Sequence, residues 1–490
     1  MKKFTKIVAT VSDRRCDIPF LMQLFENGLN VVRMNSAHLD LTGFRRIVNN
    51  TRAVSPAIGI LMDTKGPEIR TTTNLDDRTI VINTGDKIDF IGNPAGFTTP
   101  TIIYLSYRHI AKDIAPGMHL LIDDGELDFV IDSIDDDVIH ATALNEGSLG
   151  SRKSVNIPGA KINLPALTDR DRVNIQHAID LEIDFIAHSF VRRADDVKEI
   201  QQILDEHHSP IKIISKIENQ EGIDNIDEII DASYGIMVAR GDLGIEIPAE
   251  RIPAIQSMII KKCIMAHKPV IVATQMLHSM INNPRPTRAE VSDIANAVNQ
   301  HTDALMLSGE TAYGKYPLEA ISTMSRIARE AEKVVDSGNV ETHAIEHDRT
   351  SFLARQAVAS CNVLGTRAIL TDSYTGRTAR YISSYRATIP TVAICYREPV
   401  IRLLALSYGV LPLYQPTEAS SREYLLKGLM QLLDSGRLTP DDIIAYLGGS
   451  FGEGHGTSFL EINRVSDVML NYNCYCLPNL EDVVQPMRHD

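Results

Sequence analysis

Two charged residues in the segment ISKIEN have the types and spacing to do chemistry together. Lys216 and Glu218 are two positions apart, so in an extended strand both side chains point to the same side. Glu218 and Asp242 are hard oxygen donors, suited to one divalent ion that keeps several waters, as Mg²⁺ does. With the positive charges of Lys216 and Arg33, they describe a site for a polyanion such as a phosphoryl group in transit. The alternative is a buried structural ion pair.

These residues must be positioned by a fold, and the chain repeats one unit eight times. Each unit is a short apolar run that ends in polar residues and is followed by an amphipathic stretch. Near-continuous hydrophobicity predicts strands buried on both faces, as in a parallel sheet. Eight such units favour an α/β fold of the (β/α)8 TIM-barrel type over an open doubly wound sheet. The predicted strands are 6–11, 30–35, 58–63, 184–189, 211–216, 235–239, 269–274 and 303–308.

The carboxyl ends of the eight predicted strands carry most of the polar candidates. In a barrel of this kind these ends meet at one mouth, where such enzymes keep their chemistry. The predicted mouth consists of Arg33, Asn35, Asp63, Thr64, Lys216, Glu218, residues 240–242, Thr274 and residues 308–310.

The spacing of the units predicts three domains. The interval between the third and fourth strands is about a hundred residues too long for one strand–helix unit, and it contains short strand-like runs broken by turn residues. We therefore expect a small β-barrel lid domain at 72–158, inserted after the third strand of a catalytic barrel at 1–71 and 159–335. After an acidic linker at 340–348, new alternating runs predict a separate C-terminal α/β domain at 340–485.

Composition excludes several classes of function. The formal net charge is −14, and so acidic a surface repels nucleic-acid backbones. No apolar run approaches the length that spans a bilayer, and the polar interruptions in residues 1–12 predict no signal peptide. The six cysteines lack paired metal-type spacing, which is typical of free thiols in a reducing cytoplasm.

Longer strings in the chain are far more specific than single residues. The chain resembles the pyruvate kinases, whose order of motifs it follows over nearly its whole length. The strings are RMNSAH (33–38), MDTKGPEIR (62–70), GSLGSRKSVNIPG (147–159), ISKIEN (214–219), VARGDLGIEIP (238–248), ATQML (273–277), PRPTRAE (284–290) and LSGETA (307–312). The resemblance implies a glycolytic phosphotransferase that moves the phosphoryl group of phosphoenolpyruvate to ADP and gives pyruvate and ATP.

The resemblance also implies roles for the residues of the mouth. Lys216 neutralises the transferring phosphoryl group, and Arg33 contacts phosphate. Glu218 and Asp242 hold Mg²⁺, while Gly241, Asp242 and Thr274 line the substrate. Thr274 lies near the carbon that takes the proton; because a threonine hydroxyl is a weak acid, we expect it to end a water relay. The alternative for Thr274 is a hydroxyl that bonds the backbone at a strand end.

The nucleotide side is implied in the same way. Asn35, His38, Arg70 and Lys153 match nucleotide-binding positions, with Lys153 reaching the phosphates when the lid closes. Alternatively Lys153 is an exposed loop charge, His38 a capping histidine, and Asp124, in a DDG turn, either a second magnesium contact or a solvated turn carboxylate.

A potassium site belongs to the same resemblance. Asn35, Asp63 and the carbonyl of Thr64 match its ligands, and Glu68 is the residue type of potassium-requiring members. Ala37 stands where the family has a serine ligand. Either water or Ser36 fills that gap, or potassium binds more weakly.

The C-terminal domain carries two loops of interest. Ser373, Thr375, Gly376, Arg377 and Thr378 lie in a phosphate-cradle sequence that resembles the family's loop for a phosphorylated effector. The second loop, at 448–456, departs from the family and contains Glu453 and His455. Two ordinary glycine turns are the alternative.

Three functions follow for comparison. The first is the kinase, with Mg²⁺ and K⁺ as cofactors and, from the family, a homotetrameric assembly. The second is a Mg²⁺-dependent aldolase or lyase that acts on a pyruvate enolate and needs no nucleotide lid. The third is a non-catalytic metabolite-binding homologue. The intact charged groups of the mouth favour the first.

Overall fold

Eight short, buried strands close into a parallel barrel in the computed structural model, which describes residues 3–37, 39–335, 348–416, 421–449 and 456–473. The strands are Lys6–Thr10, Val31–Asn35, Gly59–Asp63, Phe185–His188, Lys212–Ile217, Gly235–Ala239, Val270–Ala273 and Ala304–Leu307, called β1 to β8 here. Each predicted strand lies within one residue of an observed one at both ends. The predicted TIM barrel is confirmed, and the open-sheet alternative is wrong.

Helices pack around the barrel and begin at well-defined caps. Thr168 and Thr287 each form a capping box with a carboxylate three residues later, and Asp17 and Asp40 cap two more helices through their side chains. The main outer helices are Ile18–Glu26, Leu41–Val54, Asp169–Asp180, Ala194–Glu206, Ile226–Ala232, Ile252–Met265, Arg288–Asn299 and Pro317–Ala331. Shorter helices follow three barrel strands at the mouth, at Gln220–Asp224, Arg240–Glu246 and Gly309–Ala312.

The segment after β3 is a small β domain with its own apolar core. Its strands are Ile69–Arg70, Ile80–Ile82, Lys87–Gly92, Ile102–Leu105, His119–Ile122, Leu127–Asp135, Val138–Ala143, Gly147–Leu149 and Ser154–Asn156. Seven of them form one sheet. Hydrogen bonds from Thr72 N to Tyr104 O (2.9 Å) and from Ser106 N to Arg70 O (2.8 Å) join its two edges, so the sheet closes into a small barrel. The inserted β-barrel is therefore confirmed, and its exact boundaries at 72–158 stay a prediction.

The C-terminal domain is a five-stranded sheet covered by helices. Along the sheet the strands are Val410–Tyr414, Thr391–Cys395, Ala368–Ser373, Ile443–Gly449 and Thr457–Arg464, and only the last is antiparallel. The helices are Arg349–Leu364, Arg377–Ser384, Glu398–Leu403, Ser421–Asp434 and Val465–Asn473. The predicted linker lies almost wholly outside the described residues. Among those that are described, no helix is long and apolar enough to cross a membrane.

Buried ion pairs join this domain to the amino-terminal end of the barrel. Arg386 lies 2.9 Å from Asp303, which precedes β8, and the two side chains are 1% and 5% exposed. Arg402 lies 2.6 Å from Asp184, which precedes β4. These pairs fix the C-terminal domain against the face opposite the mouth, the face where barrel residues serve stability.

His267 lies in the same interface, and its imidazole ring is uncharged at neutral pH. It stacks on Tyr381 with ring centroids 4.0 Å apart, and its Nδ1 is 2.5 Å from Ser384 Oγ. Burial lowers the pKa of His267 from its usual 6.5 to about 4; Arg377 and Arg380 lower it further, while Asp348 opposes them.

A stability measurement tests this assignment. The unfolded chain takes up a proton at His267 near pH 6.5 and the folded protein only near pH 4, so stability is lost as the pH falls between these values. We expect the loss from pH 7 to pH 5 to be ~2 kcal/mol larger for the unsubstituted protein than for His267→Gln. Calorimetric melting at both pH values measures it. His207→Gln, at an exposed position, should behave as the unsubstituted protein, and equal losses for all three would contradict the assignment.

Candidate active site

Three charged side chains from β2, β3 and β5 meet at the mouth of the barrel. Arg33 lies in β2, Asp63 is the last residue of β3, and Lys216 lies near the end of β5. Arg33 forms a very short ion pair with Asp63 Oδ2, and the Lys216 ammonium lies 3.5 Å from the same oxygen. Burial alone would raise the pKa of Asp63, but Arg33 and Lys216 outweigh it and hold that pKa below its ordinary value.

Lys216 is the centre of this cluster. Its Nζ lies 2.7 Å from Glu218 Oε1 and donates a hydrogen bond of 2.9 Å to Ser189 Oγ. Burial by itself would lower the pKa of Lys216, but the carboxylates of Glu218, Asp63 and Asp242 together raise it above its ordinary value. Lys216 therefore stays an ammonium although its side chain is only 11% exposed.

Glu218 and Asp242 form an acidic pair beside that ammonium. Glu218 is buried, and its Oε2 accepts a hydrogen bond of 2.7 Å from Phe190 N. Burial raises the pKa of Glu218 to about 7, and repulsion from Asp242 adds to the rise, although Lys216 opposes it. Two carboxylates that repel each other in a buried site are relieved by a divalent cation.

The donor set fits Mg²⁺ rather than a metal held by protein alone. Within the described part of the chain, no group of three or more His, Cys, Asp or Glu side chains is placed to hold a metal. Mg²⁺ is commonly bound by one or two carboxylates together with water and substrate oxygens. Glu218 and Asp242 provide that number.

Thr274 follows β7 in a strained backbone conformation. Its φ is +69° and that of Gln275 is +57°, both in the left-handed region. The Thr274 hydroxyl accepts a hydrogen bond of 2.7 Å from Gly241 N and donates one of 2.6 Å to Ala273 O. The Thr274 hydroxyl therefore forms hydrogen bonds with the backbone at the end of a strand, which is the alternative to a role in proton transfer. It also lies directly beside Gly241, a predicted substrate-lining residue.

Two oxygens among the predicted potassium ligands and their neighbours are buried without a partner. Asp63 Oδ1 and Ser36 Oγ form no hydrogen bond with any residue that the structure describes. The Thr64 carbonyl accepts one from Ser189 Oγ at 2.7 Å and keeps a second lone pair. Asn35 Oδ1 accepts one from Ala37 N at 3.1 Å. Buried oxygen donors of this kind fit a cation. The Ser36 hydroxyl directly precedes Ala37, which has none.

The predicted nucleotide-binding residues after β3 contact nearby residues of the chain and not the charged residues of the mouth. Arg70 pairs with Glu68 at 2.7 Å and Lys153 with Asp123 at 2.6 Å. Asp124 Oδ1 accepts a hydrogen bond of 2.9 Å from Ser154 Oγ. His38 lies outside the described residues.

Two clefts between the inserted domain and the barrel reach Asp242 of the acidic pair. One has a volume of about 1080 Å³ and the other about 1170 Å³, both open to solvent. Asp124 of the inserted domain and Asp242 of the barrel line both clefts. The inserted domain therefore stands beside the mouth, where a ligand can lie between the two domains.

The predicted effector loop forms a compact turn before a helix. Gly376 has a φ of +82°, and its N–H donates a hydrogen bond of 2.9 Å to Ser373 Oγ. Arg377 pairs with Asp348 at 3.0 Å, and the Thr378 and Thr457 hydroxyls are 2.8 Å apart. The last contact places Thr457, which follows the second glycine-rich segment in the sequence, next to this loop. Glu453 and His455 lie outside the described residues. The Thr375 hydroxyl is only 3.4 Å from Arg377 N.

Sequence reasoning missed one residue at the centre of the site. Ser189 donates to the Thr64 carbonyl and accepts from Lys216, so it links a predicted potassium ligand to the Lys216 ammonium. Its position at the carboxyl end of the predicted strand 184–189 is the signal that could have found it.

A closed barrel with a buried ammonium and an acidic pair at its mouth is typical of metal-dependent enzymes that act on small anions. The family descriptions "Pyruvate kinase, barrel domain" and "Pyruvate kinase, alpha/beta domain" match residues 2–321 and 352–463. The chain belongs to the pyruvate kinase family.

Individual relatives agree with this assignment. A pyruvate kinase of Borreliella burgdorferi is 42% identical over 480 residues, which cover 96% of this chain and 100% of the relative. One of Clostridium acetobutylicum is 41% identical over 91% of this chain and 96% of its own. A crystal structure of a pyruvate kinase from Cryptosporidium parvum superposes with a TM-score of 0.90 at 35% identity, and covers 94% of this chain and 96% of the other.

Proposed function

We propose that the mouth of this barrel transfers the phosphoryl group of phosphoenolpyruvate to ADP and gives pyruvate and ATP. This is the glycolytic reaction of the pyruvate kinase family, to which the chain belongs. The observation that carries the proposal is the buried Lys216 ammonium, 2.7 Å from Glu218 and beside the Glu218–Asp242 pair. Fixed positive charge of this kind stabilises a phosphoryl group during transfer.

Each residue of the mouth then has a role. Lys216 neutralises the phosphoryl group as it passes, and Arg33 contacts it on the side of β2. Gly241, Asp242 and Thr274 line the rest of the substrate. Glu218 and Asp242 would hold Mg²⁺, which supplies Lewis-acid stabilisation of the negative charge that develops on the enol oxygen.

Thr274 belongs to the second half of the reaction. When enolpyruvate becomes pyruvate, the methylene carbon gains a proton and the enol oxygen becomes a carbonyl. Because the Thr274 hydroxyl is held by Gly241 N and Ala273 O, its oxygen has a fixed position from which it orders the water that delivers this proton.

In this proposal ADP binds between the mouth of the barrel and the inserted domain. Asn35 contacts the ADP phosphates from the barrel side, and Arg70 and Lys153 approach from the other; the family resemblance also assigns His38 a nucleotide-binding role. Lys153 leaves its ion pair with Asp123 when the domain closes. An exposed pair of this type costs little to break, about 1 kcal/mol or less.

The other expectations from the family are part of this proposal. They are a phosphorylated effector at Ser373, Thr375, Gly376, Arg377 and Thr378, a homotetramer and a cytoplasmic location. No specific observation favours the two alternatives. An aldolase or lyase would not need the inserted nucleotide-binding domain, and a non-catalytic homologue would not need the buried charged residues of the mouth.

Substitution of the central ammonium tests the proposal. Lys216→Met should lower kcat for ATP formation by about 10³-fold or more, because the transferring group loses its main positive partner. The fold should persist, since Arg33 still pairs with Asp63 and Glu218 can take up a proton. Coupled assay and circular dichroism measure the two effects. Lys212→Met, at the other end of the same strand, is the control and should keep kcat, whereas normal turnover of Lys216→Met would place the chemistry elsewhere.

Potassium binding has its own test. We expect KCl to raise the melting temperature above that in tetramethylammonium chloride of equal concentration, because a cation that binds only the folded state stabilises it. Ser36→Ala should reduce this difference by removing an oxygen ligand. Ser148→Ala, at an exposed position in the inserted domain, should leave it unchanged. Identical melting in both salts would contradict a potassium site, and a full KCl effect in Ser36→Ala would exclude Ser36 as a ligand.

A further inference from the structure

The Arg240 side chain forms hydrogen bonds to the end of β7, the strand next to β6 in the barrel. It is the first residue after β6, and its side chain is 12% exposed. Its Nη2 donates a hydrogen bond of 2.8 Å to Thr274 O, and its Nε donates a longer one of 3.4 Å to Ala273 O. One guanidinium therefore holds two consecutive carbonyls at the end of β7.

Those carbonyls belong to the strained turn that carries the Thr274 hydroxyl. A left-handed φ is unfavourable for a β-branched residue by on the order of 1 kcal/mol, so the surrounding contacts must hold it. Arg240 supplies contacts to the carbonyls, and the adjacent Gly241 N–H binds the hydroxyl at 2.7 Å. Two consecutive residues after β6 thus fix both the backbone and the side chain of Thr274.

Asp293 fixes Arg240 in turn. It lies on the helix Arg288–Asn299, and its Oδ1 is 2.7 Å from Arg240 Nη1. The planar guanidinium can face a carboxylate and two carbonyls at once, because its donors point in fixed and different directions. A lysine at this position keeps the charge but has a single nitrogen, which cannot cover the same three oxygens.

We propose that Arg240, anchored by Asp293, is a positioning residue for protonation of the enol intermediate. This rests on the proposed function, in which Thr274 orders the proton-delivering water. In that step the electron pair of the carbon–carbon double bond forms the new C–H bond, the enol oxygen becomes the carbonyl of pyruvate, and the proton comes from water. Arg240 touches no reacting atom; it sets where the Thr274 oxygen lies.

The proposal predicts that Arg240→Lys slows one half of the reaction more than the other. Exchange of the pyruvate methyl protons with deuterium oxide, followed by NMR with Mg²⁺, K⁺ and inorganic phosphate present, reports protonation. Single-turnover ATP formation in a rapid-quench experiment reports phosphoryl transfer. We expect the exchange rate to fall on the order of 10- to 100-fold, as for loss of charged hydrogen bonds, while ATP formation changes about threefold or less.

Matched variants separate positioning from general damage. Arg402→Lys is the control, because Arg402 is equally buried in an ion pair at the opposite end of the barrel; it should leave both rates unchanged. Asp293→Asn should give a smaller loss in exchange than Arg240→Lys. Arg240→Lys combined with Thr274→Ala should be no slower in exchange than Thr274→Ala alone, since both act through one oxygen.

Different outcomes overturn different statements. Equal losses in exchange and ATP formation, or unchanged exchange in Arg240→Lys, would refute the positioning role of Arg240. If Thr274→Ala itself exchanges at the normal rate, the role of Thr274 in the proposed function fails instead.

Discussion

A lysine buried in a protein normally tends to lose its proton, and the site of this enzyme depends on Lys216 keeping it. Three carboxylates make this possible: Glu218 at 2.7 Å, Asp63 at 3.5 Å and Asp242 nearby. The carboxylates in turn are stabilised by the positive charges of Lys216 and Arg33 and, at Glu218, by the Phe190 N–H. The positive and negative side chains of the mouth therefore compensate one another's burial. Removing one of them would leave an unpaired buried charge, which is strongly destabilising.

The closed barrel makes that cluster possible. Parallel strands place their carboxyl ends side by side, so residues distant in sequence become neighbours at one mouth. Asn35 lies opposite Asp63 in the register of β2 and β3, and Lys216 lies opposite Met237 in that of β5 and β6. The opposite end is closed by the C-terminal domain through buried pairs such as Arg386 with Asp303. Stability and chemistry thus occupy opposite ends of the same strands.

The strands and the charged residues of the mouth could be predicted from the sequence because both are local signals. A buried parallel strand is a continuous apolar run, and the polar residue that ends it marks the mouth. The partners of these residues are not local. Arg402 pairs with Asp184 218 positions away, and no periodicity encodes such a pair. The sequence predicts a nucleotide contact for Lys153, and it contains no signal for the ion pair with Asp123 that the structure shows. Ser189 escapes notice in the sequence because it is the last residue of a predicted strand.

A crystal structure of the protein with Mn²⁺ in place of Mg²⁺ and with oxalate, a planar dianion shaped like the enolate of pyruvate, tests the charged cluster of the mouth directly. We expect an anomalous peak bound by one oxygen each of Glu218 and Asp242 and by oxalate, with the Lys216 ammonium facing the position of the transferred phosphoryl group. A metal ion bound away from both carboxylates, or oxalate outside the mouth, would contradict it.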